Sequence, residues 1–324
     1  MKTEIKRMAL FIALSTVMAY LSHNALIAGL RKSQAVDFQI WNQMMRGEIN
    51  SELLILGSSR ALVQFDCTVI ENMIQHSCFN LGLDGSMVNL QEPFFQTYLR
   101  YNSAPKTVIQ VVGLTEMTLG NPYRPHQYIP YLGERAIYEN LVGLYPDFLK
   151  FKHVPIYGFI VYKNELINPA IQGLLPTQLQ RPRLSKRIKG FLAVDEKWNN
   201  DFDQFMQRYP KGQNIDIAPQ SVAALKSIIE TCQRRNIKVI LVFPPAYHEA
   251  FDYIPNTRDV IALYRNISLK YNIPFLDYSQ SPITQQKAYF YNTQHLNKTG
   301  AEYFSKIFAL EFLKAYKSKI SLLN

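Results

Sequence analysis

The sequence predicts a doubly wound α/β domain on a mostly parallel sheet. Three observations predict it: short continuous apolar runs recur along the chain, helical patterns separate several of them, and glycine or polar residues follow each run. Strands that are apolar throughout, rather than alternating, are buried on both faces, which calls for helices on both sides of a parallel sheet. With 324 residues, 48% hydrophobic and 13% aromatic, the chain is large enough for one such core plus an insertion and is far from a disordered composition.

The N-terminal segment comes first. Lys2, Lys6 and Arg7 precede an almost unbroken apolar run from Met8 to Leu21, and Ala25 to Leu30 extends it past Ser22-His23-Asn24. Together these approach the roughly 20 residues that cross a bilayer. A cleaved signal peptide is the competing reading, but Ser-His-Asn is no small-x-small cleavage site, which favours a retained single-pass anchor over residues 1–32. The basic residues place the N-terminus in the cytoplasm, with Arg31 and Lys32 as a counterweight, and the bulk of the chain outside it, in the periplasm or at the cell surface. Residues 33–50 read as a polar helical stalk.

The expected strands are Leu53 to Leu56, Cys78 to Leu81, Thr107 to Val112, Lys238 to Phe243 and Pro274 to Leu276, with a helix over Ser221 to Arg235. Residues 51–120 and 220–324 thus form the α/β domain. Between them, residues 121–219 lapse into aromatic, proline and basic residues, including Tyr123 to Tyr128 and Trp198. A structureless loop of that length is unusual, so the segment is expected to be a mainly helical insertion capping the crevice, with a partner-docking surface as the alternative.

Net charge is +10, and the basic residues are scattered except for Arg181, Arg183, Lys186, Arg187 and Lys189. Such a run is usually a solvated face; the sharper alternative is contact with an anionic membrane surface or an acidic glycan. No zinc-finger, RNA-binding or helix-turn-helix signature accompanies it, so nucleic acid is not an expected partner. Cys67, Cys78 and Cys232 lack metal-ligand spacing, and their odd number excludes complete internal pairing. They read either as small buried apolar residues or, for Cys67 and Cys78, as a bridge in an oxidising compartment.

In sheets of this kind ligands bind beyond the carboxyl ends of the strands. The residues there are Gly57-Ser58-Ser59-Arg60, Gly82-Leu83-Asp84-Gly85, Gly113-Leu114-Thr115-Glu116, Pro244-Pro245-Ala246-Tyr247-His248 and the stretch carrying Asn292 and His295. A serine hydroxyl attacks a carbonyl at neutral pH only when a base removes its proton, so Ser59 and His295 are the pair to test. The plainer alternative makes Ser59 an N-cap for the next helix. Glu116 reads as a wall of the crevice, Arg60 as a helix cap or the partner of Glu116, and His248 as a loop residue or substrate contact. Tyr289, Phe290 and Tyr291 read as core and rim packing. The turn after the first strand lacks both a dinucleotide fingerprint and a P-loop lysine, which speaks against a nucleotide.

These motifs, over roughly Glu52 to Gly113 and Lys238 to Phe304, resemble the SGNH (GDSL-like) hydrolase superfamily. The likeness is strongest to its membrane-anchored, cell-envelope branch of DltD-like and alginate O-acetylation-type proteins. The resemblance implies a flavodoxin-like sheet order and a serine nucleophile at Ser59. It also implies a catalytic base at His295 and oxyanion donors at the Ser59 and Gly82 N–H groups, with no metal and no cofactor. Two positions depart from the pattern. Thr115 stands where the family has an oxyanion-binding asparagine, and Asn292 where it has the triad aspartate. Neutral Asn292 can orient the imidazole but cannot balance its charge; in chymotrypsin-type triads that exchange costs about four orders of magnitude in turnover.

The implied activity is an extracytoplasmic serine esterase or O-acyltransferase acting on acyl groups of a cell-surface polysaccharide or envelope polymer. Arg60, Glu116 and His248 are its candidate substrate contacts. The alternative is a catalytically lapsed domain that binds a glycan or a membrane-bound O-acyltransferase.

Overall fold

The computed structural model describes residues 2–120, 122–180 and 187–320. Helices α1 (Lys2–Leu30) and α2 (Val36–Met45) precede β1 (Leu53–Leu56), α3 (Ser59–Gln64), α4 (Cys67–Ile74), β2 (Cys78–Asn80), α5 (Val88–Tyr101) and β3 (Thr107–Val111). Next come α6 (Arg135–Leu144), α7 (Asp147–His153), α8 (Tyr157–Val161), α9 (Lys163–Leu174), α10 (Asp201–Arg208) and α11 (Pro219–Arg234). The chain continues through β4 (Lys238–Phe243), α12 (Glu249–Asp252), α13 (Thr257–Tyr271) and β5 (Phe275–Asp277). It ends with β6 (Phe290–Asn292), β7 (His295–Leu296) and α14 (Lys298–Ile320).

Strands β1 to β5 form one all-parallel sheet in the order β2-β1-β3-β4-β5, which is the flavodoxin-like order of doubly wound folds. The fold class expected from the sequence is therefore the one observed, with strand ends displaced by a residue at most. Period-two alternation divides the sheet's side chains between its faces. Leu53, Ile55, Ile109, Val111, Ile240 and Val242 join the core under α4 and α14, which includes Phe65, Ile70, Phe304 and Phe308. Residues of the other parity, such as Leu54, Val108 and Leu241, are equally buried, and α5 packs on α11, which also contacts β4. Burial on both faces explains why the strands are mostly apolar rather than regularly alternating.

By contact pattern the chain separates into two compact units, Met1–Arg46 with Arg124–Ser185 and Gly47–Tyr123 with Lys186–Asn324. This differs from the expected insertion over residues 121–219. Residues 187–219 belong to the α/β unit, where Phe191 is buried, Leu192 N–H donates to the Leu62 carbonyl and Ala218 N–H to that of Met117. Of the basic run, Arg181, Arg183 and Lys186 lie outside the described residues. Arg187 is buried with Nη1 on the Gly82 carbonyl, a structural role rather than a solvated one, and Lys189 pairs with Glu71 at 2.7 Å.

In the first unit α2 is not a polar stalk: Phe38, Ile40, Trp41 and Met44 are buried, and Trp41 stacks on Tyr131. The C-terminal end of α1 packs on α9 so closely that a Cβ at Gly29 would strike the Ala170 carbonyl and one at Gly173 the Gly29 carbonyl. The rest of α1 buries nothing, with Met8, Phe11, Leu14 and Met18 all more than half exposed. It is the one described helix long and apolar enough to cross a membrane.

In the α/β unit Cys67 and Cys78 form a disulfide joining the start of α4 to the start of β2, with Cα atoms 5.3 Å apart. Cys232 is buried, which pushes its thiol up to about 12. Closing a loop with a separation of 11 residues stabilises the folded chain by about 2–3 kcal/mol through the unfolded ensemble. Reduction should therefore lower the unfolding free energy of the α/β unit by that amount in a urea titration, and an unchanged midpoint would contradict the bond.

Candidate active site

The site begins at the turn from β1 into α3. Gly57 is required because a Cβ there would lie 2.8 Å from the Cβ atoms of both Ala61 and Val111, so any other residue would push α3 off the sheet. Ser58, in extended backbone, is the N-cap and accepts from Arg60 N–H at 3.3 Å. It also donates its own hydroxyl proton to Glu116 Oε1 at 2.8 Å. Capping thus falls to Ser58, and Ser59 is left at the first position of the helix with its hydroxyl turned elsewhere.

That hydroxyl lies 2.8 Å from His295 Nε2, across 236 residues of sequence. His295 opens β7, paired antiparallel with β6 so that Asn292 stands opposite it. Gln64 Nε2 donates to the Gln294 carbonyl at 2.6 Å, so the last turn of α3 grips the hairpin while its first turn supplies the serine. The imidazole is half-buried and stacks on Tyr291, ring centroids 5.3 Å apart with a 6° interplanar angle.

Asn292 Oδ1 collects three donors: Gln294 N–H at 3.1 Å, His295 N–H at 3.0 Å and His295 Nδ1 at 2.9 Å. Two fixed backbone donors assign that atom as the oxygen, so Nδ1 must carry the imidazole proton and Nε2 presents a lone pair to Ser59. The amide's other end, Nδ2, donates to Asp201 Oδ2 at 3.2 Å. Burial, then the charge of Arg60, holds the imidazole far below its usual range, down to about 3, against an upward pull from Asp201. The ring is therefore neutral throughout the physiological range, the state a general base requires.

Arg60 points beneath this pair rather than into solvent. It is 3% exposed, with Nη2 on the carbonyls of Pro244 at 2.6 Å and Pro245 at 3.3 Å and its guanidinium over the Phe243 ring. Its pKa is lowered by burial and raised in part by Glu116. A Cβ on Gly113 would collide with both Arg60 Nη1 and Glu116 Oε2, so this glycine keeps open the space through which the two charges face each other. Neither group is an exposed substrate contact: Glu116 is 2% exposed and held by Ser58. His248 sits on α12's N-terminal side with its N–H on the Thr284 carbonyl and its ring against Tyr247, outside the residues that line the neighbouring cleft.

The expected oxyanion donors divide. Gly82 N–H is already donating to Asn80 Oδ1 at 2.8 Å. A Cβ at Gly82 would strike the Leu62 backbone, so the glycine serves close packing of β2's end against α3. Asn80, unremarked in the sequence except as Gly82's neighbour, is fully buried and also donates to the carbonyls of Ala61 and Phe65 at 2.7 and 3.0 Å, tying off the end of α3. Thr115, half-buried, lines the cleft together with His295, Asn292 and Arg60.

That cleft, about 320 Å³, lies on the His295–Asn292 side, and Ser59 is not in its lining. Phe202, Phe205, Ile215 and Ile254 make one wall apolar, and Asp201 stands beside Asn292 at the polar end. Tyr289 stacks on Tyr303 and Phe290 is core, as expected, whereas Tyr291 is the wall against which the imidazole rests. Among the described residues no group of three or more His, Cys, Asp or Glu side chains could hold a metal ion.

No protein-family profile and no curated protein matches the chain. Among solved structures, the chain is similar to one described as a proposed lipolytic protein of the G-D-S-L family from Desulfitobacterium hafniense DCB-2. The TM-score is 0.40 and the identity 11%, over 81% of this chain and 98% of that one. A likeness that distant transfers neither a site nor an activity, and the geometry above stands by itself.

Two outcomes follow from the site's packing. Asn80→Ala leaves two buried carbonyls and the Gly82 N–H without their partner, and should cost about 2–4 kcal/mol in a denaturant titration; a loss below about 0.5 kcal/mol would contradict the bracing role. Because the folded-state pKa of His295 lies below the unfolded one, the folded protein binds fewer protons below pH 6.5. Stability is then lost as pH falls from 6.5 toward about 3. In a histidine-15N NMR titration the His295 ring should stay neutral from pH 8 to below 5, and a midpoint near 6.5 would refute the shift.

Proposed function

We propose that the α/β unit is a serine-dependent esterase or O-acyltransferase, of SGNH type, that acts on acyl groups of a cell-surface polysaccharide or related envelope polymer. The observation that carries this reading is the connected line of Ser59 Oγ, His295 Nε2, His295 Nδ1 and Asn292 Oδ1, with separations of 2.8 and 2.9 Å. Helix capping, the alternative role for Ser59, is performed by Ser58.

Ser59 Oγ attacks the acyl carbonyl as its proton passes to His295 Nε2. The tetrahedral intermediate collapses to an acyl-serine, and His295 returns the proton to the departing alkoxide. Water or a second hydroxyl then repeats the sequence in reverse. The developing oxyanion would be met by the Ser59 N–H and the Thr115 hydroxyl, because the Gly82 N–H is committed to Asn80. The chemistry requires no metal or cofactor. The apolar wall of Phe202, Phe205, Ile215 and Ile254 suits an acyl chain.

Location in the envelope is supported by α1, read as a single-pass anchor with a cytoplasmic N-terminus. It is further supported by the Cys67–Cys78 pairing, which persists in oxidising compartments. The competing reading, a lapsed domain that binds a glycan or assists a membrane-bound O-acyltransferase, draws on Asn292 in place of an acid and on the occupied Gly82 N–H.

Full-length protein in detergent decides between them. A fluorophosphonate should label wild type at Ser59, and Ser59→Ala and His295→Ala should each lose at least about a hundredfold in labelling rate. A folded wild-type protein that never labels would overturn the enzymatic reading and leave the assembly role.

A further inference from the structure

The acid missing from position 292 has a substitute one residue further out. We infer that Asp201 is a positioning residue, the fourth member of a Ser59–His295–Asn292–Asp201 line, and that it reinforces the productive imidazole tautomer through the Asn292 amide. The inference rests on the acyl-transfer reading above only for what the tautomer is used for.

Asp201 is placed by more than proximity. Asn199 N–H donates to the Tyr291 carbonyl at 2.8 Å, clipping the entry to α10 onto β6 one residue before Asn292. The Asn199 side chain then brackets Asp201 on both sides, with Nδ2 on Asp201 Oδ2 at 2.8 Å and Oδ1 accepting from Asp201 N–H at 3.1 Å. The same Oδ2 accepts from Asn292 Nδ2 at 3.2 Å. A carboxylate only accepts hydrogen bonds, so it acts with the two backbone donors on Oδ1 to hold the amide's nitrogen toward itself and the amide's oxygen toward His295. An amide is the side chain that fits between an acceptor at Asp201 and a donor at His295 Nδ1. An aspartate at 292 would satisfy the imidazole and the two backbone donors but would face Asp201 acceptor to acceptor.

Asp201 is exposed, so solvent screens its charge, and its effect on the ring is chiefly one of orientation. The remaining electrostatic pull raises the affinity of His295 for a proton, against burial and Arg60. Both effects help the ring accept the Ser59 proton.

Charge relocation tests this, because a merely structural role predicts nothing about it. In the full chain, Asp201→Ala should slow fluorophosphonate labelling of Ser59 about tenfold, short of losing the base, and move the acidic limb of the rate profile to lower pH. Asn292→Asp alone sets two carboxylates side by side. Adding Asp201→Asn to it should speed labelling severalfold, whereas Asp201→Asn in the Asn292 background should slow it. The inference is overturned if Asp201→Ala labels within twofold of wild type with an unmoved limb, or if Asp201→Asn acts in the same direction in both backgrounds.

A readout independent of labelling separates the two proposals. In a histidine-15N spectrum His295 should carry its proton on Nδ1 in wild type, and Asp201→Ala should weaken that preference and raise the Nε2–H population. If wild type fails to label yet the tautomer responds, acyl transfer falls and the Asp201 role stands; if wild type labels and the tautomer ignores Asp201, the reverse holds.

Discussion

The arrangement depends on a single oxygen atom. Asn292 Oδ1 holds the backbone N–H groups of Gln294 and His295, which shapes the turn between β6 and β7, and the same atom receives the imidazole Nδ1. The turn and the tautomer thus share one acceptor, and Asp201 holds the amide that carries it from the other end. The nucleophile's position follows, since α3 both carries Ser59 and grips the hairpin through Gln64. A neutral residue at 292 is therefore compatible with an ordered serine–histidine pair, and what it forgoes is charge.

Charge is where this site departs from a carboxylate-based triad. Burial, and after it the charge of buried Arg60, depresses the imidazole, so the ring is deprotonated and available but is a weak base at rest. An oxyanion forming beside it would offset Arg60 and raise its proton affinity at the moment the Ser59 proton must move. Arg60 is itself held by the Pro244 and Pro245 carbonyls and faces Glu116 across Gly113, while Glu116 holds Ser58. The cation, its counter-charge and the nucleophile turn thus form one buried polar assembly, and Asn80 secures the other end of α3.

The sheet was legible because its strands are short and mostly apolar, with no regular alternation of polar residues, a pattern that two-sided burial produces. Ser59 and His295 were legible because each follows a strand in a recognisable motif. The roles of neighbouring residues were not, since they depend on competition between side chains. Nothing in Asn80-Leu81-Gly82 says that the asparagine will take the glycine's N–H, and Ser58 and Ser59 are interchangeable on paper as caps. Asp201 lies 91 residues from Asn292, in a stretch whose aromatic and polar mixture has no period, so no spacing argument could join them. In α2, the charged and amide residues Asp37, Gln39, Asn42 and Gln43 suggested a solvated stalk, whereas Phe38, Ile40, Trp41 and Met44 are buried.

The central claim is that Ser59, activated by His295, takes an acyl group. Its most direct measurement is rapid-quench peptide mass mapping of the full-length protein mixed with p-nitrophenyl acetate. The account predicts an acetyl group on the peptide carrying Ser59 that appears before steady-state turnover and vanishes in His295→Ala. No adduct at all, or an adduct on Ser58 that survives the loss of His295, would contradict it.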